Sequence, residues 1–264
     1  MTPILMLGAG RMGGALIEGW RRANAFVPAD LILRDPYPTD TARAVEAAGG
    51  RLNPPDAALG EALTVLLAVK PQLWRETAAE VGHLLHPDAV LVSVAAGVKA
   101  ADISAAFGGR RVARVMPTTA AAIGQGVASL YAADPEARAR ARALFGPVGA
   151  VVDLDDEDLL HAATGVSGSA PAYFYALVEA LEAAGVSAGL SPAAARQLAR
   201  ATMAGAAALM TQSGTEPSEL RKQVTSPNGT TEAALKILMG DGGLEPLLRD
   251  AVAAAARRSR ELGG

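Results

Sequence analysis

The chain is expected to fold as an α/β Rossmann-type dinucleotide-binding domain followed by an all-α domain, and three features carry that expectation. A short apolar run, Pro3-Ile4-Leu5-Met6-Leu7, leads straight into a glycine turn, Gly8-Ala9-Gly10-Arg11-Met12-Gly13-Gly14, and then a helical pattern. Short apolar runs alternate with helical stretches as far as residue 153, which argues for a mostly parallel sheet covered by helices. Beyond the acidic stretch Asp153-Leu154-Asp155-Asp156-Glu157-Asp158 the strand signals stop and helices follow one another. The domains are therefore placed at 1–153 and 154–264, with the acidic stretch read as a solvated linker and helix start.

The first strand and its turn have a physical reading residue by residue. Gly8 permits the sharp turn, Gly10 lets the backbone approach a pyrophosphate, and Gly13 lets helix and strand pack closely. Arg11 and Met12 stand in the same turn, at the helix N-terminus on which a pyrophosphate sits, and count as cofactor-binding residues. A second run, Leu31-Ile32-Leu33-Arg34, ends at Asp35, roughly twenty residues on, where ribose recognition is expected. Asp35 there favours NADH, while Arg34 is a candidate partner for the 2′-phosphate of NADPH.

Four more runs follow: Thr64-Val65-Leu66-Leu67-Ala68-Val69, Val90-Leu91-Val92-Ser93-Val94, Arg111-Val112-Ala113-Arg114-Val115 and Val127-Ala128-Ser129-Leu130-Tyr131. Their near-continuous apolarity suits strands buried on both faces. Ligands of such sheets gather at the carboxyl ends of the strands. Lys70-Pro71-Gln72, Ala95-Ala96-Gly97 and Met116-Pro117-Thr118-Thr119 fall there; each alone reads as a plain loop, and their shared position at the rim reads as cofactor or substrate contact.

In the second domain Ser169 and Pro171 open a helix with Phe174, Leu177, Val178 and Leu181 on one face, closed at Gly185. Ser191-Pro192 opens the next and Gly214 ends it. Another runs through Ala233, Leu235 and Leu238 to Gly240, and a last one from about Leu244 through Ala255. Small residues and apolarity on more than one face point to burial against another subunit, giving a homodimer or a higher assembly of dimers.

The stretch Val224-Thr225-Ser226-Pro227-Asn228-Gly229-Thr230-Thr231-Glu232 reads as a site for a small carboxylate. Pro227 and Gly229 allow a tight turn, the hydroxyls of Ser226, Thr230 and Thr231 cap or donate, and the helix that follows offers unpaired N–H groups. An ordinary helix cap is the competing reading of the same residues.

Charge and composition remove several classes. A net charge of −3 gives no basic excess for nucleic acid or an anionic membrane. With no cysteine there is no thiolate chemistry, and His83, His86 and His161 are too scattered to suggest a metal centre. His83 and His86 read as dipole partners at a helix end, and His161 as a packed helix residue. No signal peptide or membrane span is evident, so the chain is expected in the cytoplasm.

With a dinucleotide fingerprint at one end and the hydroxyl loop at the other, the chain closely resembles pyrroline-5-carboxylate reductase over nearly its whole length. The landmarks are 68–72, 93–97, Ser167-Gly168-Ser169-Ala170-Pro171-Ala172-Tyr173 and 224–231, in family order. The resemblance implies NADPH- or NADH-dependent reduction of 1-pyrroline-5-carboxylate to L-proline by a Rossmann domain and an interlocked helical dimerisation domain. It also adds Ala68, Val69, Lys70, Pro71, Ala95, Ala96 and Gly97 to the cofactor-binding set. The substrate set is Ser226, Asn228, Gly229, Thr230 and Thr231, with Thr231 placed by the resemblance close to the ring nitrogen as the catalytic hydrogen-bond partner. Thr118, Ala120, Ala170 and Asn228 depart from the family's usual residues, and the first two are expected to reshape a loop beside the nicotinamide. Two rivals stand beside this reading: a β-hydroxyacid dehydrogenase, which needs a lysine on an early helix of the second domain, and a non-catalytic dinucleotide sensor. Lys222 and Lys236 are the lysines after the linker and neither lies on those helices.

Overall fold

The computed structural model describes residues 1–263 and divides into two compact units, one of Met1–Gly168 together with the chain from Ala254 onward, the other of Ser169–Ala253. The first unit is built on eight strands: β1 (Ile4–Leu7), β2 (Leu31–Arg34), β3 (Arg51–Leu52), β4 (Thr64–Leu67), β5 (Val90–Ser93), β6 (Val112–Pro117), β7 (Gly126–Tyr131) and β8 (Gly149–Asp153). Their order across the sheet is β3-β2-β1-β4-β5-β6-β7-β8. Neighbours are parallel except β6 and β7. The reversal of strand order beside β1 sets the crevice at the carboxyl ends of β1 and β4, where such sheets bind ligands.

Side-chain alternation explains the burial. Ile4 and Met6 of β1 enter one apolar cluster with Leu33, Leu66 and Val92, whereas Leu5 and Leu7 enter another with Ile32, Val65 and Leu91. Both faces of the central strands are therefore covered, which is why they read as unbroken apolar runs. Helices α1 (Arg11–Ala23), α2 (Asp40–Ala47), α3 (Trp74–Val81), α4 (Ala100–Ala106) and α5 (Pro135–Phe145) do the covering. Trp20 of α1 is 1% exposed, and its indole N–H donates to the Leu144 carbonyl at 2.6 Å, so its polar atom is paired.

Six strands match the runs expected from sequence; β3 and β8 carry no such signal. β3 has two residues, too few to show a period, and β8 alternates half-buried with exposed positions at the sheet edge. The acidic stretch is not simply solvated. Glu157 Oε1 accepts from Arg114 Nη1 at 2.8 Å and from the Ala100 N–H at 2.6 Å, so it pairs a guanidinium buried in β6 and caps α4. The unit then runs past Asp153 through α6 (Leu159–Ala163) and a π-helical turn, Thr164–Gly168.

The second unit is helical: α7 (Ala170–Ser187), α8 (Pro192–Ser213), α9 (Pro217–Gln223), α10 (Thr230–Leu238) and the first turns of α11 (Leu244–Glu261). Ser191 caps α8 by accepting from the Ala194 N–H at 3.3 Å, and Gly214 closes it with φ +62°, as the sequence predicts. Gly185 does not close α7. It lies within the helix, where a Cβ would come 3.1 Å from that of Ala195, so it serves the α7–α8 contact. The unit buries little in a single copy: Ala170, Ala195 and Ala199 are its buried apolar residues among those described, while Tyr175, Leu198, Ile237 and Leu247 are exposed. No described helix is long and apolar enough to cross a membrane.

Candidate active site

The glycine turn leaves β1 and reaches α1 within three residues, and its backbone is pinned from several sides. Gly8 has φ +90°, and a Cβ there would stand 2.9 Å from the Ala68 carbonyl oxygen, so the turn requires glycine on both conformational and steric grounds. A Cβ on Gly13 would meet the Gly8 carbonyl oxygen at 2.5 Å and Met6 Sδ at 3.0 Å; helix and strand touch through it. At Gly10, the N-cap of α1, a Cβ would meet nothing within 4 Å, so open space lies where a phosphate would approach. Arg11 is exposed and Met12 half-buried at the start of the same helix.

Asp35 sits differently from a plain ribose acceptor. It is 8% exposed, and its carboxylate accepts from the Ala9 N–H at 2.7 Å and the Tyr37 N–H at 2.8 Å. Asn53 brackets its main chain, accepting from the Asp35 N–H at 2.9 Å and donating to its carbonyl at 2.8 Å. Thr39 donates to the Ala9 carbonyl at 3.1 Å, so Ala9 is held at both its polar groups. Arg34 Nη2 lies 3.3 Å from Asp56 and 3.2 Å from Glu80, both well exposed; such pairs are weak and leave the guanidinium able to exchange partners. Asn53 and Thr39 are residues that sequence reasoning missed. An Asn at φ +46° beside a strand end is a turn signal, but nothing local says which strand it will bracket.

The rim loops lie after the strands that were expected to carry them. Ala68 donates to the Leu7 carbonyl at 2.8 Å and backs the glycine turn. Val69, Lys70 and Pro71 lead into a short 3-10 turn, with Lys70 exposed. After β5, the Ala95 N–H is held by the Ser93 hydroxyl at 3.2 Å, Ala96 is half-buried, and Gly97 turns with φ +82°. Thr118 lies one residue past the end of β6: its N–H donates to the Val127 carbonyl at 3.0 Å and its hydroxyl accepts from the Val127 N–H at 3.0 Å. Ala120 falls in the 3-10 turn Thr119–Ile123 that follows.

In the second unit the hydroxyl loop is a tight turn onto α10. Asn228 takes φ +58°, and the Gly229 N–H donates to the Ser226 carbonyl at 3.0 Å. A Cβ on Gly229 would collide with the Ser226 hydroxyl, so only glycine lets Ser226 tuck under the turn. One expectation needs correction here. The Asn228 N–H is not offered to a ligand, because Glu232 Oε2 accepts it at 2.7 Å. With Gly229 also engaged, the main-chain donors left by the helix start are those of Thr230, Thr231 and Glu232. Gly229, not Thr231, is the N-cap; Thr231 is half-buried at the second helical position, and its hydroxyl is not the capping group.

His161 is 5% exposed, with Nδ1 3.0 Å from the Ser259 hydroxyl near the end of α11. Burial pushes its pKa below the usual histidine value, reinforced by the positive charges of Arg114, Arg260 and Lys99 and opposed by Asp158, so the ring is neutral near pH 7. His86 lies beyond the helix end, with Nδ1 accepting from the Asp88 N–H at 3.1 Å. No group of three or more potential metal ligands occurs among the described residues.

Comparison with known proteins covers the whole chain. The family described as pyrroline-5-carboxylate reductase dimerisation matches residues 157–262, and that described as NADP oxidoreductase, coenzyme F420-dependent, matches residues 3–97. The pyrroline-5-carboxylate reductase of Pseudomonas aeruginosa is 41% identical, with 99% of this chain and 97% of that protein covered. The structure of a pyrroline-5-carboxylate reductase from Coxiella burnetii is 30% identical, covers 100% of this chain and 99% of its own, and superposes with a TM-score of 0.89. A Plasmodium falciparum pyrroline carboxylate reductase with NADP bound has the same fold at 23% identity and a TM-score of 0.85, with 100% and 98% covered.

Proposed function

The chain belongs to the pyrroline-5-carboxylate reductase family, and on that footing we infer that it reduces 1-pyrroline-5-carboxylate to L-proline with NAD(P)H. The end-to-end likeness at 41% identity carries this reading, since it spans the sheet unit and the hydroxyl loop alike. The sheet unit fits a dinucleotide on its own evidence: a glycine-bounded turn, open space at Gly10 and a helix start at Arg11.

When bound, NAD(P)H supplies the hydride; the protein's work is holding and orienting. The helix start at Gly10, Arg11 and Met12 and the rim residues Ala68 to Pro71 and Ala95 to Gly97 hold the dinucleotide, with Gly8 and Gly13 giving the turn its shape. The imine carbon is itself electrophilic, so no strong acid is required. Ser226 and the N–H groups of Thr230 and Thr231 hold the ring carboxylate, on a turn shaped by Asn228 and Gly229, and Thr231 Oγ hydrogen-bonds the ring nitrogen and relays to it a proton that water replaces on the hydroxyl as the C–H bond forms, so Thr231 ends the step unchanged.

Both NADH and NADPH are accepted in this reading, with Arg34 taking the 2′-phosphate after leaving its exposed carboxylate partners. The enzyme is a homo-oligomer through its dimerisation domain. We take a dimer as the building unit because the exposed apolar faces of the second unit need a cover; a monomer by light scattering at micromolar concentration would count against it. Steady-state oxidation of NADPH and NADH with 1-pyrroline-5-carboxylate, beside a 3-hydroxyacid control, tests the activity. Turnover with the imine alone is expected; turnover with the hydroxyacid alone, or silence with both, would overturn the assignment.

A further inference from the structure

The loop after β5 is covered by the end of the chain. A Cβ built on Gly97 would lie 2.5 Å from the Ser259 carbonyl oxygen and 2.7 Å from the Gly263 nitrogen. Gly263 makes the same demand in return, since a Cβ there would run into the Gly97 carbonyl. Two facing glycines therefore let the last turn of α11 and the residues just after it lie directly on the backbone of Gly97. Side chains fasten that turn from the other side. The Ser259 hydroxyl, on a residue 3% exposed, meets Nδ1 of the buried His161 of α6 at 3.0 Å. The segment just before α6 is fixed as well, because Glu157 holds both Arg114 of β6 and the Ala100 N–H just beyond the loop. The loop is thus bounded by β5 on one side, the start of α4 on the other, and the end of α11 across its turn.

We propose that the end of α11, fastened by the Ser259–His161 hydrogen bond, is a clamp that holds loop 95–97 in its dinucleotide-binding shape, which makes Ser259 and His161 positioning residues for cofactor binding. The inference rests on the reading of Ala95, Ala96 and Gly97 as cofactor contacts. Removing the hydroxyl releases the turn of α11 from α6, and the loop it covers samples shapes that do not bind.

The test is direct NADPH binding to the full-length protein by fluorescence titration, with hydrogen exchange read at residues 94–99. Ser259→Ala and His161→Leu are each expected to raise the Kd for NADPH about three- to tenfold, the size of one net hydrogen bond, and to speed exchange in the loop. At saturating NADPH, kcat stays within about twofold, because the reacting groups are untouched. His161→Asn sets an amide where Nδ1 lies and is expected to restore the affinity. If Ser259→Ala is folded, melts lower and binds NADPH as the native protein does, the hydrogen bond serves stability alone and the clamp is wrong. Gly97→Ala separates that failure from a failure of the loop assignment. A raised Kd in Gly97→Ala with none in Ser259→Ala sinks only the clamp, while an unchanged Kd in both removes the loop from the cofactor site. Because binding is the readout, neither outcome depends on the imine being the substrate.

Discussion

The Ala9 main-chain N–H donates to the Asp35 carboxylate at 2.7 Å, so the acidic residue just after β2 grips the inside of the glycine turn leaving β1. A carboxylate that accepts backbone N–H groups fixes the turn, and in the proposed reading it also keeps negative charge beside the adenosine end of the dinucleotide. The two roles separate on substitution. Asp35→Ser is expected to lower stability by about 1–3 kcal/mol through the lost charge-assisted bonds, and to raise the NADPH:NADH preference by removing repulsion of the 2′-phosphate. Thermal melts and kcat/KM for both cofactors check this. A lower melting point with an unchanged ratio would leave Asp35 as a clamp alone.

Much of that arrangement is readable in the sequence, and its limit is instructive. Gly8, Gly10 and Gly13 stand in one short motif after an apolar run, so the turn is visible in a handful of neighbouring residues, whereas the Ala68 carbonyl that crowds Gly8 is not. The bonds from Asp35 to Ala9, and from Asn53 to Asp35, span 26 and 18 residues, and only the β1–β2–β3 pairing brings them together. The end of α11 was invisible for the same reason: its partners Gly97 and His161 are set by tertiary packing, not by any period in residues 254–263. In the hydroxyl loop, the glycine and the helix start were legible. The Glu232 side chain that takes the Asn228 N–H was not, since a glutamate in the first helical turn reads as an ordinary dipole partner.

The turn before α10 predicts a steric sensitivity. Gly229→Ala places a methyl against the Ser226 hydroxyl, so that hydroxyl must swing away, and in the proposed reading the ring carboxylate loses its seat. KM for the imine is expected to rise by about tenfold or more, with folding of the sheet unit intact. Ser226→Ala removes the hydroxyl but keeps the turn, and is expected to raise KM more than it lowers kcat, because holding the carboxylate is largely uniform binding. Equal loss of kcat and kcat/KM in Ser226→Ala, with KM unchanged, would instead place that hydroxyl at the reacting atoms.

His161 predicts a pH dependence of stability. Its folded pKa lies below the unfolded value of about 6.5, so the unfolded chain takes up a proton first as the solution is acidified. The stabilising contribution is therefore complete above about pH 6.5 and is lost as pH falls below it toward the folded pKa. His161→Asn cannot titrate there. The native protein's melting point is expected to fall more steeply than the variant's between about pH 7.5 and 5. Parallel melting curves for the two proteins over that range would show that His161 titrates no differently when folded.

Thr231 gives the sharpest separation of chemistry from structure, because the structure removes the rival explanation for its hydroxyl. Gly229 is the N-cap of α10, the Asn228 N–H is held by Glu232, and Thr231 follows at the second helical position. If the Thr231 hydroxyl meets the ring nitrogen, Thr231→Ala lowers kcat/KM for the imine by about ten- to a thousandfold, the scale of a lost oriented donor. The melting point should barely move, since no capping bond is lost. Thr231→Ser keeps the hydroxyl and is expected to retain most of the turnover. Steady-state kinetics and thermal melting of both variants decide the matter: native turnover in Thr231→Ala would remove Thr231 from the chemistry, whatever the melting point does.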